Sequence, residues 1–102
     1  ISKVLDVILD RPENTYTVES LAEIAAMSRA TFIRHFEKCF HRTPMDYLRD
    51  VRLRRAAQLL QVSSIPLDGV AAKIGYSSRS HFSKAFSDQF GVSPAEFRKQ
   101  YH

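Results

Sequence analysis

Three phenylalanines spaced four residues apart, Phe32, Phe36 and Phe40, return fifty positions later as Phe82, Phe86 and Phe90. No other feature constrains the fold of this chain as tightly. Side chains recurring every four residues form one buried stripe on an α-helix. The same shift carries Ser28-Arg29 onto Ser78-Arg79, Pro44 onto Pro94 and Tyr47 onto Phe97. Upstream the shift becomes forty-nine, pairing Leu21 with Val70, Ala22 with Ala71, Ala26 with Gly75 and Met27 with Tyr76. The second copy therefore holds one extra residue in its turn.

Each copy reads as a short helix, a tight turn, a phenylalanine helix and a further capped helix. A short helix joined by a tight turn to a second helix is the helix-turn-helix arrangement. Small Ala22 and Ala71 let the paired helices approach. Two similar helical hairpins in a bundle would show the same repeat without binding anything, so the repeat alone leaves function open.

Capping signals place the remaining elements. Val4, Leu5, Ile8 and Leu9 predict a first helix over Ser2 to Leu9, ended by Arg11-Pro12. Thr17 starts a second helix that carries Leu21, Ala22, Ile24 and Ala25 and ends near Met27. Ser28 caps the third. Thr43-Pro44-Met45-Asp46 opens a fourth helix from Pro44 to about Gln61, with Tyr47, Leu48, Val51, Ala56, Leu59 and Leu60 as its apolar surface. The fifth begins around Pro66 and closes at Gly75. Gly69 inside it is expected to weaken it by about 1 kcal/mol relative to alanine. Ser77 or Ser78 caps the sixth, and Ser93-Pro94-Ala95-Glu96 reads as a capping box opening the seventh. The expectation is an all-α fold of seven helices. Residues 1–43 form a first helix-turn-helix subdomain, 44–62 a long linker helix and 63–102 a second subdomain.

Fifteen lysines and arginines stand against eleven acids, a net charge of +4. Eight basic and three acidic residues fall between Arg29 and Arg55. That balance suits a polyanion but is common in proteins that bind none. With the single Cys39 no internal disulfide can form, and no apolar run reaches the roughly 20 residues needed to span a membrane. A cytoplasmic protein, without membrane attachment, is expected. Beginning at Ile1, directly in a helical pattern, the sequence reads as a piece of a longer one.

The phenylalanine stripe fixes which side of each long helix stays free. Ala30, Ile33, Arg34, Glu37 and Lys38 lie away from it or on its flank in the first copy; Ser80, Ser83, Lys84, Ser87 and Asp88 do so in the second. Arg29 and Arg79 occupy the first turns. In a helix-turn-helix protein the start of the second helix enters the DNA major groove. Arginine can donate two hydrogen bonds to guanine, serine can bond several base edges, and a small apolar group can touch a thymine methyl. Each position taken singly is also an ordinary solvated side chain. Their recurrence at matching places in two copies favours a reader. Arg49, Arg52, Arg54 and Arg55 could contact phosphates, but they read better as solvated charges or partners of acids such as Asp46 and Asp50, at helical spacings of three and four.

His35, Cys39 and His41 invite a metal, but a zinc site needs about four ligands and no second pair stands at a suitable spacing. Cys39, beside Phe40, reads as a partly buried small apolar residue, and His81 as a surface or helix-packing residue. No Gly-rich phosphate loop, nucleophile elbow or nucleophile–base set is present. Neither a cofactor nor enzymatic activity is expected.

These motifs together resemble a known family. LAEIAAMSRATFIRHFEKCFHRTPMDY (21–47), VRLRRAAQLL (51–60) and VAAKIGYSSRSHFSKAFSDQFGVSPAEFRK (70–99) are similar to the first half, linker helix and second-half signature of the AraC/XylS transcription regulators' C-terminal DNA-binding domain. The resemblance implies two recognition helices that read double-stranded DNA. It puts the base-reading positions on Ala30, Ile33 and Arg34, with Arg29 adjacent, and on Arg79, Ser80, Ser83 and Lys84. It further implies a sensing or dimerising domain in the missing N-terminal part and RNA polymerase as a partner. Two positions depart from the family pattern: Ala26 and His41 stand where glycine is usual. A protein-interaction module and an accessory domain of a DNA-repair enzyme are the rival readings.

Overall fold

The computed structural model describes residues 1–102, which form seven α-helices joined by short turns and loops. They are α1 (Ser2–Asp10), α2 (Val18–Ile24), α3 (Arg29–Phe40), α4 (Pro44–Val62), α5 (Leu67–Lys73), α6 (Arg79–Phe90) and α7 (Pro94–Tyr101). The all-α expectation holds. The chain divides into two compact units, Ile1–Val51 and Arg52–His102, with the division falling inside α4. No helix is long and apolar enough to cross a membrane.

Each unit has its own core. In the first, Val4, Ile8, Leu21, Ala22, Phe32, Phe36 and Leu48 are buried together. In the second, Leu53, Ala56, Leu60, Val70, Ala71, Ile74, Phe82 and Phe86 are. Phe40 and Phe90, the last members of the two stripes, are half-buried against the same cores. Their rings stack in matching fashion: Phe36 lies 4.7 Å from Phe40 and 5.7 Å from Tyr47, and Phe86 lies 4.5 Å from Phe90 and 5.4 Å from Phe97. Offset and edge contacts of this kind add about 0.5–1.5 kcal/mol per pair beyond the area buried.

Side-chain caps fix the helix starts, satisfying N–H groups that have no partner within the helix. Ser28 Oγ accepts from the Thr31 N–H at 3.2 Å, and Ser78 Oγ from the His81 N–H at 3.1 Å. Thr43 and Ser93 do the same for α4 and α7. The reciprocal box forms at α2, where Thr17 and Ser20 exchange both bonds at 3.0 Å. At α7 Ser93 caps the Glu96 N–H, and the box expected there is only this forward half.

Two further expectations need correction. α2 stops at Ile24, not near Met27, because Ala26 turns left-handed at φ 57°. The Ala26 N–H then bonds the Glu23 carbonyl and the Met27 N–H the Ala22 carbonyl, both at 3.0 Å. This is a Schellman ending. α5 ends the same way, with Gly75 at φ 95° and Tyr76 bonded back to Ala71 at 2.9 Å. Gly69 is the second correction. A Cβ there would sit 2.7 Å from Ile65 Cγ2, so glycine lets the α5 start pack closely, and alanine's helix propensity would be offset by that clash.

Ala26 and His41 (φ 59°) occupy left-handed positions that their counterparts fill with Gly75 and Gly91. An L-residue there carries a cost of roughly 1–2 kcal/mol, partly offset by glycine's greater unfolded-state freedom. Ala26→Gly is therefore expected to stabilise the chain by about 0.5–1 kcal/mol, a Tm rise of about 4–8 °C per kcal/mol at this size. His41→Gly gains less, since histidine tolerates this region better than alanine. Thermal melts of the two variants check the order.

Candidate nucleic-acid interface

With Phe32 and Phe36 turned into the first core, the opposite side of α3 faces solvent. Arg29, Ala30 and Arg34 are exposed there, and Ile33 sits half-buried on the flank. α6 repeats the arrangement: Arg79, Ser80 and Lys84 are exposed, and Ser83, at the Ile33 position, is half-buried. Of the eight singled-out residues, Ala30, Arg34, Ser80 and Lys84 lie on the free faces, Ile33 and Ser83 on their flanks, and Arg29 and Arg79 in the capped first turns. Thr31, His35 and His81 are exposed on the other flank of those helices, outside the candidate base-reading set. Their exposure follows from the same periodicity. His81 also lies edge-on to the Tyr76 ring at 5.4 Å.

The charges on these faces are partly engaged. The Arg29 Nε–H donates to Glu19 Oε1 at 2.9 Å. Arg79 Nε lies 4.0 Å from Asp68 Oδ1. Lys84 pairs with Asp88 one turn on, at 3.4 Å. Arg34 is exposed and carries no ion pair in this structure. Exposed pairs contribute about 0–1 kcal/mol each, so a stronger anion can displace them. The sequence held no signal for the Glu19 and Asp68 contacts, because ten and eleven residues separate the partners across a turn.

Elsewhere charge pairing runs as read for Arg49, which bonds Asp46 at 2.9 Å; Asp50 pairs with Arg42 at 3.6 Å. Cys39 is exposed, not partly buried. Its adjacency to Phe40 does not place it on the buried stripe, since successive helix residues point about 100° apart. Three or more His, Cys, Asp or Glu side chains do not gather anywhere as a metal-holding group.

A family model described as a helix-turn-helix domain matches residues 21–100, spanning both repeats. The crystal structure of the DNA-binding domain of AdpA in complex with a target DNA superposes with a TM-score of 0.94 at 34% identity, covering 98% of this chain and 90% of that one. The chain belongs to the AraC-type helix-turn-helix family. An AraC-type regulator structure from Chromobacterium violaceum agrees, with a TM-score of 0.91 at 28% identity over 98% of this chain and 89% of that one. Among curated relatives, the transcriptional regulator AlkR of Acinetobacter baylyi is 45% identical over 98% of this chain and 33% of its own length. The activator RclR of Escherichia coli is 40% identical over 98% of this chain and 35% of its own. The AraC-type chain thus spans about a third of the length of these relatives. Both of these relatives are named as transcriptional regulators.

Proposed function

We propose that this chain binds specific double-stranded DNA to regulate bacterial transcription, with α3 and α6 as recognition helices in successive major grooves. One observation carries the reading: two helix-turn-helix units repeat the same free helix face, each rich in base-reading residue types. Arg34, Ala30 and Ile33, beside Arg29, read one half-site; Arg79, Ser80, Ser83 and Lys84 read the other. Successive grooves on one DNA face lie about 10–10.5 base pairs apart, so a single copy reads an asymmetric site. α4, within 44–62, is the linker between the subdomains. If it stays rigid, the duplex bends toward it at a cost of about 1–6 kcal/mol.

The greater length of the curated relatives supports a sensing or dimerising domain beyond this segment; RNA polymerase as a partner and the bacterial cytoplasm as the location belong to the same proposal. The test is selection from a pool of randomised duplexes, followed by salt titration on the recovered sequence. One duplex class should be enriched, and log K should fall linearly with log salt, by about 0.9 per phosphate neutralised. Absence of enrichment, or a slope near zero, sinks the reading. A pure protein-interaction module would give both negative results.

A further inference from the structure

The two units repeat one polar contact that their cores do not require. Arg29 is the first residue of α3 and Arg79 the first of α6. Glu19 and Asp68 stand in the first turns of α2 and α5 and correspond under the forty-nine-residue shift. In each unit the carboxylate faces the arginine's Nε, at 2.9 Å in the first and 4.0 Å in the second. The guanidinium is a planar fork of five N–H donors. Engaging it at Nε leaves the two terminal amino groups free. Those groups form the edge that matches guanine O6 and N7, or a phosphate, through two parallel bonds. The four side chains are all more than half exposed, so the pairs add little to folding.

We infer that Glu19 and Asp68 are positioning residues, each aiming the arginine that opens its recognition helix. The inference rests on the DNA-binding reading above. It makes a prediction opposite in sign to charge counting. Removing a carboxylate beside a DNA-binding face should strengthen binding if the acid merely repels phosphate. If the acid aims Arg29, removing it weakens binding to the correct sequence.

The probe is the duplex recovered from the randomised pool by the unmodified chain, with a scrambled duplex beside it. Glu19→Ala is expected to weaken binding to the recovered duplex about fivefold, a factor of ~1 kcal/mol, and to leave the scrambled one unaffected. Glu19→Gln keeps an oxygen that accepts from Nε, and should bind within about twofold of the parent. Asp68→Ala should lose only about twofold, given the longer contact. Placed on top of Arg29→Ala, Glu19→Ala should cause no further loss. The proposal is overturned if Glu19→Ala binds as tightly as the parent or more tightly, or if its loss persists in the Arg29→Ala background. Failure of the unmodified chain to select any duplex is a separate outcome. It removes the DNA reading, and the positioning role with it.

Discussion

Phe36→Ala should cost about 3–5 kcal/mol, the largest single-residue effect expected in the first unit. Phe36 is fully buried, and its ring touches Phe32, Phe40 and Tyr47 at 5.8, 4.7 and 5.7 Å. Truncation leaves a cavity that three aromatic neighbours cannot all collapse to fill. Because each unit buries a separate set of side chains, the damage should be local. Amide hydrogen exchange read residue by residue should show protection lost across α1–α3 and kept across α5–α7. Equal loss in both would mean that the two cores fail together. Phe86→Ala should produce the mirror pattern, given matching contacts to Phe82, Phe90 and Phe97.

Arg34→Ala and Lys84→Ala carry the largest expected effects on recognition. A bidentate arginine contact to guanine is worth about 1–3 kcal/mol of discrimination. Losing Arg34 should relax selectivity at one half-site, and losing Lys84 at the other. Arg34 should matter more, because it is exposed without an ion pair while Lys84 must first leave Asp88. Selection from randomised duplexes with each variant reads this directly as flattened base preference at separate positions. Equal weakening on every sequence would instead make both residues phosphate contacts.

What the sequence made legible is what local chemistry decides. The stripes Phe32–Phe36 and Phe82–Phe86, the caps Thr17, Ser28, Thr43, Ser78 and Ser93, and the glycine at the end of α5 each announce themselves within a few residues. α4 was harder. Val51 and Leu59, expected in its apolar surface, do pack against the cores but stay partly exposed, whereas Leu53, outside that expectation, is fully buried. Leu48 serves the first core and Leu53, Ala56 and Leu60 the second, so one 3.6-residue pattern does not run through the helix. Alanine itself does not signal the left-handed backbone at Ala26; only its alignment with Gly75 in the second copy points to it. On the candidate faces, periodicity showed which positions are free. It did not show that Glu19 and Asp68 reach across the turn to Arg29 and Arg79, since that depends on where the turn points two helices.

The boundary between the units falls between Val51 and Arg52, in the middle of α4 rather than in a loop. Backbone hydrogen bonds of a helix join residues four apart, so several of them straddle this boundary. Starting a helix is the unfavourable step, and extending it is easy. Whichever unit orders first bears that initiation and presents the other with a helix end already formed. Its partner then needs only to add turns carrying Leu48 or Leu53, depending on direction. Two cores that share no buried side chain are thereby coupled only in how readily α4 starts, and the loss of one core still leaves the packing of the other in place.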